Sequence, residues 1–163
     1  MEENEAEPAP LLVVDGANVV GSVPDGWWRD RRGAAERLRD SLVPLAARGL
    51  PNLPGPVEVV LVVEGAARGV TALPEVRVVA ASGSGDDRIV ELVREARTEH
   101  PDRLCLVVTA DRELRTRVGS LGAAVTGPRS VRHPPPPHRV GEPNPAISER
   151  AGTDHSGRPT AEG

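Results

Sequence analysis

The chain contains no phenylalanine, no tyrosine and no lysine, and it has one cysteine, one methionine and two tryptophans among 163 residues. Its core must therefore be built from Val, Leu, Ile and Ala, and only Trp27 and Trp28 are open to stacking of nucleobases. The lone Cys105 excludes an internal disulfide. Inside the apolar run Leu104-Cys105-Leu106-Val107-Val108 it reads as a packed core residue and not as a reactive thiol. Long apolar runs are also missing. Nothing approaches the roughly 18 residues of a membrane span, and the acidic stretch from Met1 to Pro10 has no apolar signal core. The expectation is a cytoplasmic protein with no membrane partner. A net charge of -4 and a pI of about 5.6 exclude the overall basic field that grips nucleic acid indiscriminately. All 20 cationic residues are Arg, a bias that a GC-rich coding sequence accounts for more readily than phosphate recognition does.

A chain of this size holds one domain plus tails. Residues 1–10 are polar, proline-bearing and without periodicity, and read as a disordered lead-in. Residues 11–128 alternate buried-strand and helical patterns. Strands are expected at about 11–14, 57–63, 76–80 and 104–109, with a short edge strand at 123–125. A helix from Arg29 to about Ala47 carries Ala35, Leu38, Leu42 and Leu45 on one face, capped by Asp25 or Asp30. Pro44 is expected to kink it or end it near Leu42. Pro51 to Pro56 reads as a loop, and a short helix or turn is expected at 66–70. A second amphipathic helix starts at Asp86, and a third follows Asp111. Beyond 128, four consecutive prolines at 134–137 among Gly, Ser and His indicate a disordered tail over 129–163. Strands alternating with helices predict an α/β fold with parallel strands and right-handed crossovers.

Parallel strands carry a geometric consequence. Whatever follows each strand lands on the same edge of the sheet, the edge where ligands bind in open α/β folds. Asp15 and Asn18 follow the first strand, Glu64 the second, Asp86 and Asp87 the third, and Asp111 the fourth. Carboxylates crowded together raise one another's pKa and are tolerated mainly with a neutralising cation. Oxygen-only ligands select a hard ion, Mg²⁺ or Mn²⁺. Each acid also has a plainer explanation. Asp86 and Asp111 stand where helix caps belong, Asp87 suits a helix dipole, and Glu64 and Asp30 read more simply as a surface pairing partner and a cap.

Other candidates are weaker. Ser82-Gly83-Ser84-Gly85 precedes a helix but lacks the Gly-Lys-Ser/Thr ending of a phosphate loop. His100, His133, His138 and His155 show no metal-ligand spacing. Trp27 and Trp28 read as cover for the first helix and the sheet edge, and base stacking is the second choice. The cluster Arg29, Arg31, Arg32, Arg37 and Arg39 is a solvated helix face whose nearer members stand close enough to the first acidic loop to hold phosphates.

Three motifs carry a resemblance. Val14-Asp15-Gly16-Ala17-Asn18-Val19-Val20-Gly21 resembles the D-G-x-N opening of NYN domains, in the YacP-like branch of the PIN-like nuclease superfamily. Ser84-Gly85-Asp86-Asp87-Arg88-Ile89-Val90 is similar to that branch's mid-chain acid pair. Val107-Val108-Thr109-Ala110-Asp111 is similar to its later T-S-D motif, with Ala110 in place of Ser. The resemblance spans about 11–127. It implies a three-layer PIN-like domain with a mainly parallel sheet of about five strands, binding Mg²⁺ or Mn²⁺ and cleaving RNA. Asp15, Asp87 (or Asp86) and Asp111 would be metal-binding acids, and Asn18 would orient a ligand or its loop. Two departures from the branch stand out: Glu64 where Asp is more expected, and the lack of aromatics that accompany D-G-x-N. The leading expectation is a metal-dependent endoribonuclease with Asp15, Asp87 and Asp111 catalytic, and Arg29 or Arg112 on the phosphate. Alternatives are an RNA- or ribosome-binding module with a vestigial site, and a nucleotide phosphohydrolase. Oligomeric state is not legible.

Overall fold

The computed structural model describes residues 8–132. Its centre is β1 (Leu11–Asp15), which is buried along its whole length. On one side it pairs in parallel with β4 (Glu58–Val63), and on the other with β6 (Cys105–Val108). The edges are β5 (Val76–Ala80), next to β4, and the short β7 (Ala124–Thr126), next to β6. The five-stranded sheet is therefore ordered β5-β4-β1-β6-β7 and is parallel throughout. A strand covered on both faces has no polar side to show, which is why the three central strands are Val and Leu except at their ends, Asp15, Glu58 and Cys105.

Alternate residues feed two cores. Leu12, Val14, Val59, Leu61, Leu106 and Val108 face α1 (Gly16–Val20) and α2 (Arg31–Arg48). Leu11, Val13, Val60, Val62, Cys105 and Val107 face α3 (Gly85–Glu99) and α4 (Arg112–Gly119). Burial pushes the Cys105 thiol pKa up, which suits its role as packing.

Four local expectations are corrected. Helix α2 runs through Pro44 to Arg48 instead of ending near Leu42. Proline lacks the N–H that would reach the carbonyl of Asp40, but both residues lie on the exposed face, where that carbonyl is open to solvent. Meanwhile Leu45 continues the buried stripe. The stretch after it is not a plain loop: β2 (Gly49–Leu50) and β3 (Leu53–Pro54) form a small antiparallel hairpin. It starts at Gly49, whose φ of 73° suits glycine alone. The cap of α3 is Ser84, whose Oγ accepts from the Asp87 N–H at 3.2 Å, so Asp86 lies inside the first turn. Finally, the tail expected from 129 begins too early. Arg129–Arg132 form a short helix, α5, and Val131 is buried in the core beside α2. At the other end Pro10 accepts from the Glu58 N–H, so the domain begins before residue 11. Residues 1–7 and 133–163, the bulk of both expected tails, lie outside the described residues. Among the described residues no helix is long and apolar enough to cross a membrane.

Candidate active site

The carboxyl ends of β1, β4 and β6 meet at one rim. Asp15 is the last residue of β1 and also the cap of α1, so its carboxyl stands where the central strand turns into a helix. The sharpness of that turn depends on Gly16. A Cβ there would lie 2.5 Å from the Val62 carbonyl oxygen of β4, so only glycine lets the chain turn this close to the neighbouring strand. Asp15 is 5% exposed. Its Oδ2 accepts from Thr109 Oγ1 at 2.8 Å, and its Oδ1 takes a longer bond from the Asn18 N–H at 3.4 Å. Burial raises its pKa to about 6. The Thr109 and Asn18 hydrogen bonds oppose that rise, and the negative charges of Asp86 and Glu64 add to it.

Thr109, completely buried, also ties Asp15 to the next acid. Its Oγ1 accepts from the Asp111 N–H at 3.1 Å. Asp111 then caps α4, with Oδ1 accepting from the Leu114 N–H at 2.9 Å. Asn18 closes the same corner, its Oδ1 accepting from the Ala110 N–H at 2.8 Å, so it orients the β6–α4 loop. Glu64 accepts from the Gly85 N–H and so fixes the start of α3 against the end of β4.

The two acids of that helix point to different surroundings. Asp86 is half-buried. Its pKa is raised first by burial and then by the charges of Asp111 and Glu64, with Arg117 opposing. Asp87 is bonded to Arg117 at 3.0 Å, and its side chain is 70% exposed. Asp86 thus shares the field of Asp111 and Glu64, with Asp87 beside it adding to the rise, and its charge is one that Asp15 feels. The signal that separates them was available in Ser84-x-x-Asp87. It is a capping-box spacing that sets the helix start and hence the direction of each acid. Thr109 stood in the sequence only as the first residue of the T-A-D stretch, with no role attached, and Arg117 carried no sequence signal of its own.

The phosphate candidates lie outside this knot. Arg112 is exposed in the first turn of α4. Arg29 is exposed, its guanidinium 5.8 Å from the Trp28 ring centroid. Among the described residues no three His, Cys, Asp or Glu side chains are gathered so as to hold a metal ion. The acids at the rim whose charges influence one another, Asp15, Glu64, Asp86 and Asp111, offer carboxylate oxygens only. That chemistry fits Mg²⁺ or Mn²⁺ bound by one or two carboxylates, with waters and substrate phosphates completing the shell, and does not fit a closed protein cage.

A parallel five-stranded sheet between two helical layers, with acids along its carboxyl rim, makes this an α/β domain of three layers. Its fold is YacP-like. A crystal structure of a mutant of Rae1 (YacP) from Bacillus subtilis matches with a TM-score of 0.61 at 19% identity, over 75% of this chain and 72% of that one. A second Rae1 (YacP) structure matches with a TM-score of 0.59 at 18% identity, over 90% and 82%. At such identity the likeness is one of fold. No protein-family model and no curated protein sequence matches this chain.

Proposed function

We propose that this chain is a metal-dependent endoribonuclease acting on RNA phosphodiesters at the acidic rim. The observation that carries the reading is geometric: the buried Asp15 carboxyl at the end of the central strand is tied through Thr109 to Asp111 at the end of the next, with the charges of Glu64 and Asp86 also bearing on it. Burying like charges side by side is costly in a resting protein and useful where a cation joins them. The YacP-like fold and the three matching motifs support the same class.

Asp15 and the free oxygen of Asp111 would hold Mg²⁺ or Mn²⁺, and such an ion, when bound, lowers the pKa of a water and offsets charge on the phosphate. The chain's own groups do the rest. Thr109 and Asn18 keep the Asp15 carboxyl in one orientation. Asp86, more basic than an ordinary carboxylate, takes the proton of the attacking water. The water oxygen bonds to phosphorus as the bond to the leaving ribose oxygen breaks on the opposite side, and solvent protonates that oxygen. Arg112 and Arg29 hold flanking phosphates. The substrate is cytoplasmic RNA, free or ribosome-associated.

A second reading, an RNA- or ribosome-binding module with a vestigial site, draws on the lack of three gathered metal ligands among the described residues. One cleavage screen separates the two. On structured and single-stranded RNA with Mn²⁺, the nuclease reading expects cutting that Asp111→Asn abolishes. Binding without cutting, equal in both proteins, favours the module.

A further inference from the structure

Beside the acidic rim lies a second hollow, of about 90 Å³, that the proposed chemistry does not use. Its walls include Gly16, Ala17, Trp27, Arg31, Glu64 and Ala67. Gly16 follows Asp15 in the chain, and Glu64 is one of the charges that Asp15 and Asp86 feel, so the hollow borders the carboxylates. With about 10–15 Å³ needed per water, it has room for several waters or for one flat ring.

The lining chooses between them. Trp27 is half-buried and packs on the core, so its ring is held in place. The Arg31 guanidinium stands 5.3 Å from the Trp27 ring centroid, a cation–π arrangement that also fixes the cation. Ala17, Val20, Ala35, Val63 and Ala67 supply small apolar surface. One carboxylate, Glu64, and one guanidinium, Arg31, are the charged groups at its walls. Such a slot suits a neutral, flat ring that carries both N–H donors for a carboxylate and carbonyl acceptors for a guanidinium, with an aromatic surface to lie against.

We infer that this hollow is a nucleobase subsite, taking the base of the nucleotide next to the phosphate at the rim. The assignment deepens the ribonuclease reading and rests on it for its place in catalysis, but binding in the hollow is measurable without cleavage. Trp27 is then a specificity-determining residue that sets which internucleotide bond lies over Asp15.

The test uses the full chain in EDTA, with Trp28→Leu so that Trp27 is the sole indole; Trp28 is 51% exposed but meets Trp27 edge-on with ring centroids 5.9 Å apart, so thermal unfolding of this background is first matched to the wild type. The probes are UMP, CMP, AMP and GMP, with ribose 5-phosphate as the control. At least one nucleotide is expected to quench Trp27 saturably, while ribose 5-phosphate does not. Ala17→Leu, made at an exposed position that lines the hollow, is expected to raise the half-saturating concentration at least tenfold. Arg31→Ala, at the exposed start of α2, is the independent variant and is expected to raise it at least threefold. No saturable quenching by any nucleotide, quenching shared by ribose 5-phosphate, or quenching indifferent to both variants overturns the subsite. Nucleotide binding in a protein that cuts no RNA with Mn²⁺ keeps the subsite and defeats the nuclease reading instead.

Discussion

Thr109 and Asp15 are joined across the gap between β6 and β1 by a buried hydrogen bond of 2.8 Å, and the same hydroxyl accepts from the Asp111 N–H at 3.1 Å. One threonine therefore fixes the distance between two of the three strand ends that build the rim. Thr109→Val keeps the shape and removes both bonds. It leaves the Asp15 carboxyl and the Asp111 N–H short of a partner, at a cost of about 1–3 kcal/mol. Urea unfolding at neutral pH reads that loss. Because the Thr109 bond lowers the Asp15 pKa, carboxyl-carbon NMR should find that pKa above about 6 in the variant.

Asp15 itself works against the fold at neutral pH. Its folded pKa of about 6 exceeds the ordinary 3.8, so the native state prefers it protonated. The stability it contributes is fully present below pH 3.8 and is lost as pH rises through about 6. A shift of that size corresponds to roughly 3 kcal/mol. Asp15→Asn should therefore be more stable than the wild type at pH 8 by up to about that amount, with the advantage gone near pH 4. Urea midpoints at pH 4, 6 and 8 check the sign.

Gly16 is required by space. Its missing Cβ would meet the Val62 carbonyl oxygen at 2.5 Å and Leu61 Cδ1 at 3.2 Å. Gly16→Ala must push β4 from β1, at about 1–3 kcal/mol, visible as a lowered thermal midpoint.

The two neighbouring acids of α3 should separate in an activity assay. Asp86→Asn removes the group that takes the proton and is expected to slow RNA cleavage about 100-fold. Asp87→Asn frees an exposed pair with Arg117, a contact of little energetic weight, and should leave the rate within about threefold. Equal losses would assign the two acids the same role.

The rim was legible in the sequence because runs such as Leu11-Leu12-Val13-Val14 mark central parallel strands, and topology then sends Asp15, Glu64 and Asp111 to one edge. The choice between Asp86 and Asp87 rested on the Ser84-x-x-Asp87 spacing alone, because it depends on where α3 begins. Without Ser84 recognised as the cap, both acids read as equivalent. Helix α2 outlasted Pro44 because burial of Leu45 outweighs one hydrogen bond lost on the wet face. Helix α5 escaped notice for the opposite reason: four residues carry too little periodicity, and only the core contact of Val131 reveals them. Thr109 was visible as a strand-end residue, but its double hydrogen bond is a tertiary fact.

The rate of RNA cleavage as a function of Mn²⁺ concentration, for the wild type and Asp15→Asn, bears most directly on whether the rim acids share a working cation. The wild-type rate should rise to saturation with Mn²⁺ and vanish in EDTA, and Asp15→Asn should lose at least about 100-fold while remaining folded. A wild-type rate indifferent to EDTA, or an Asp15→Asn rate equal to it, contradicts the account.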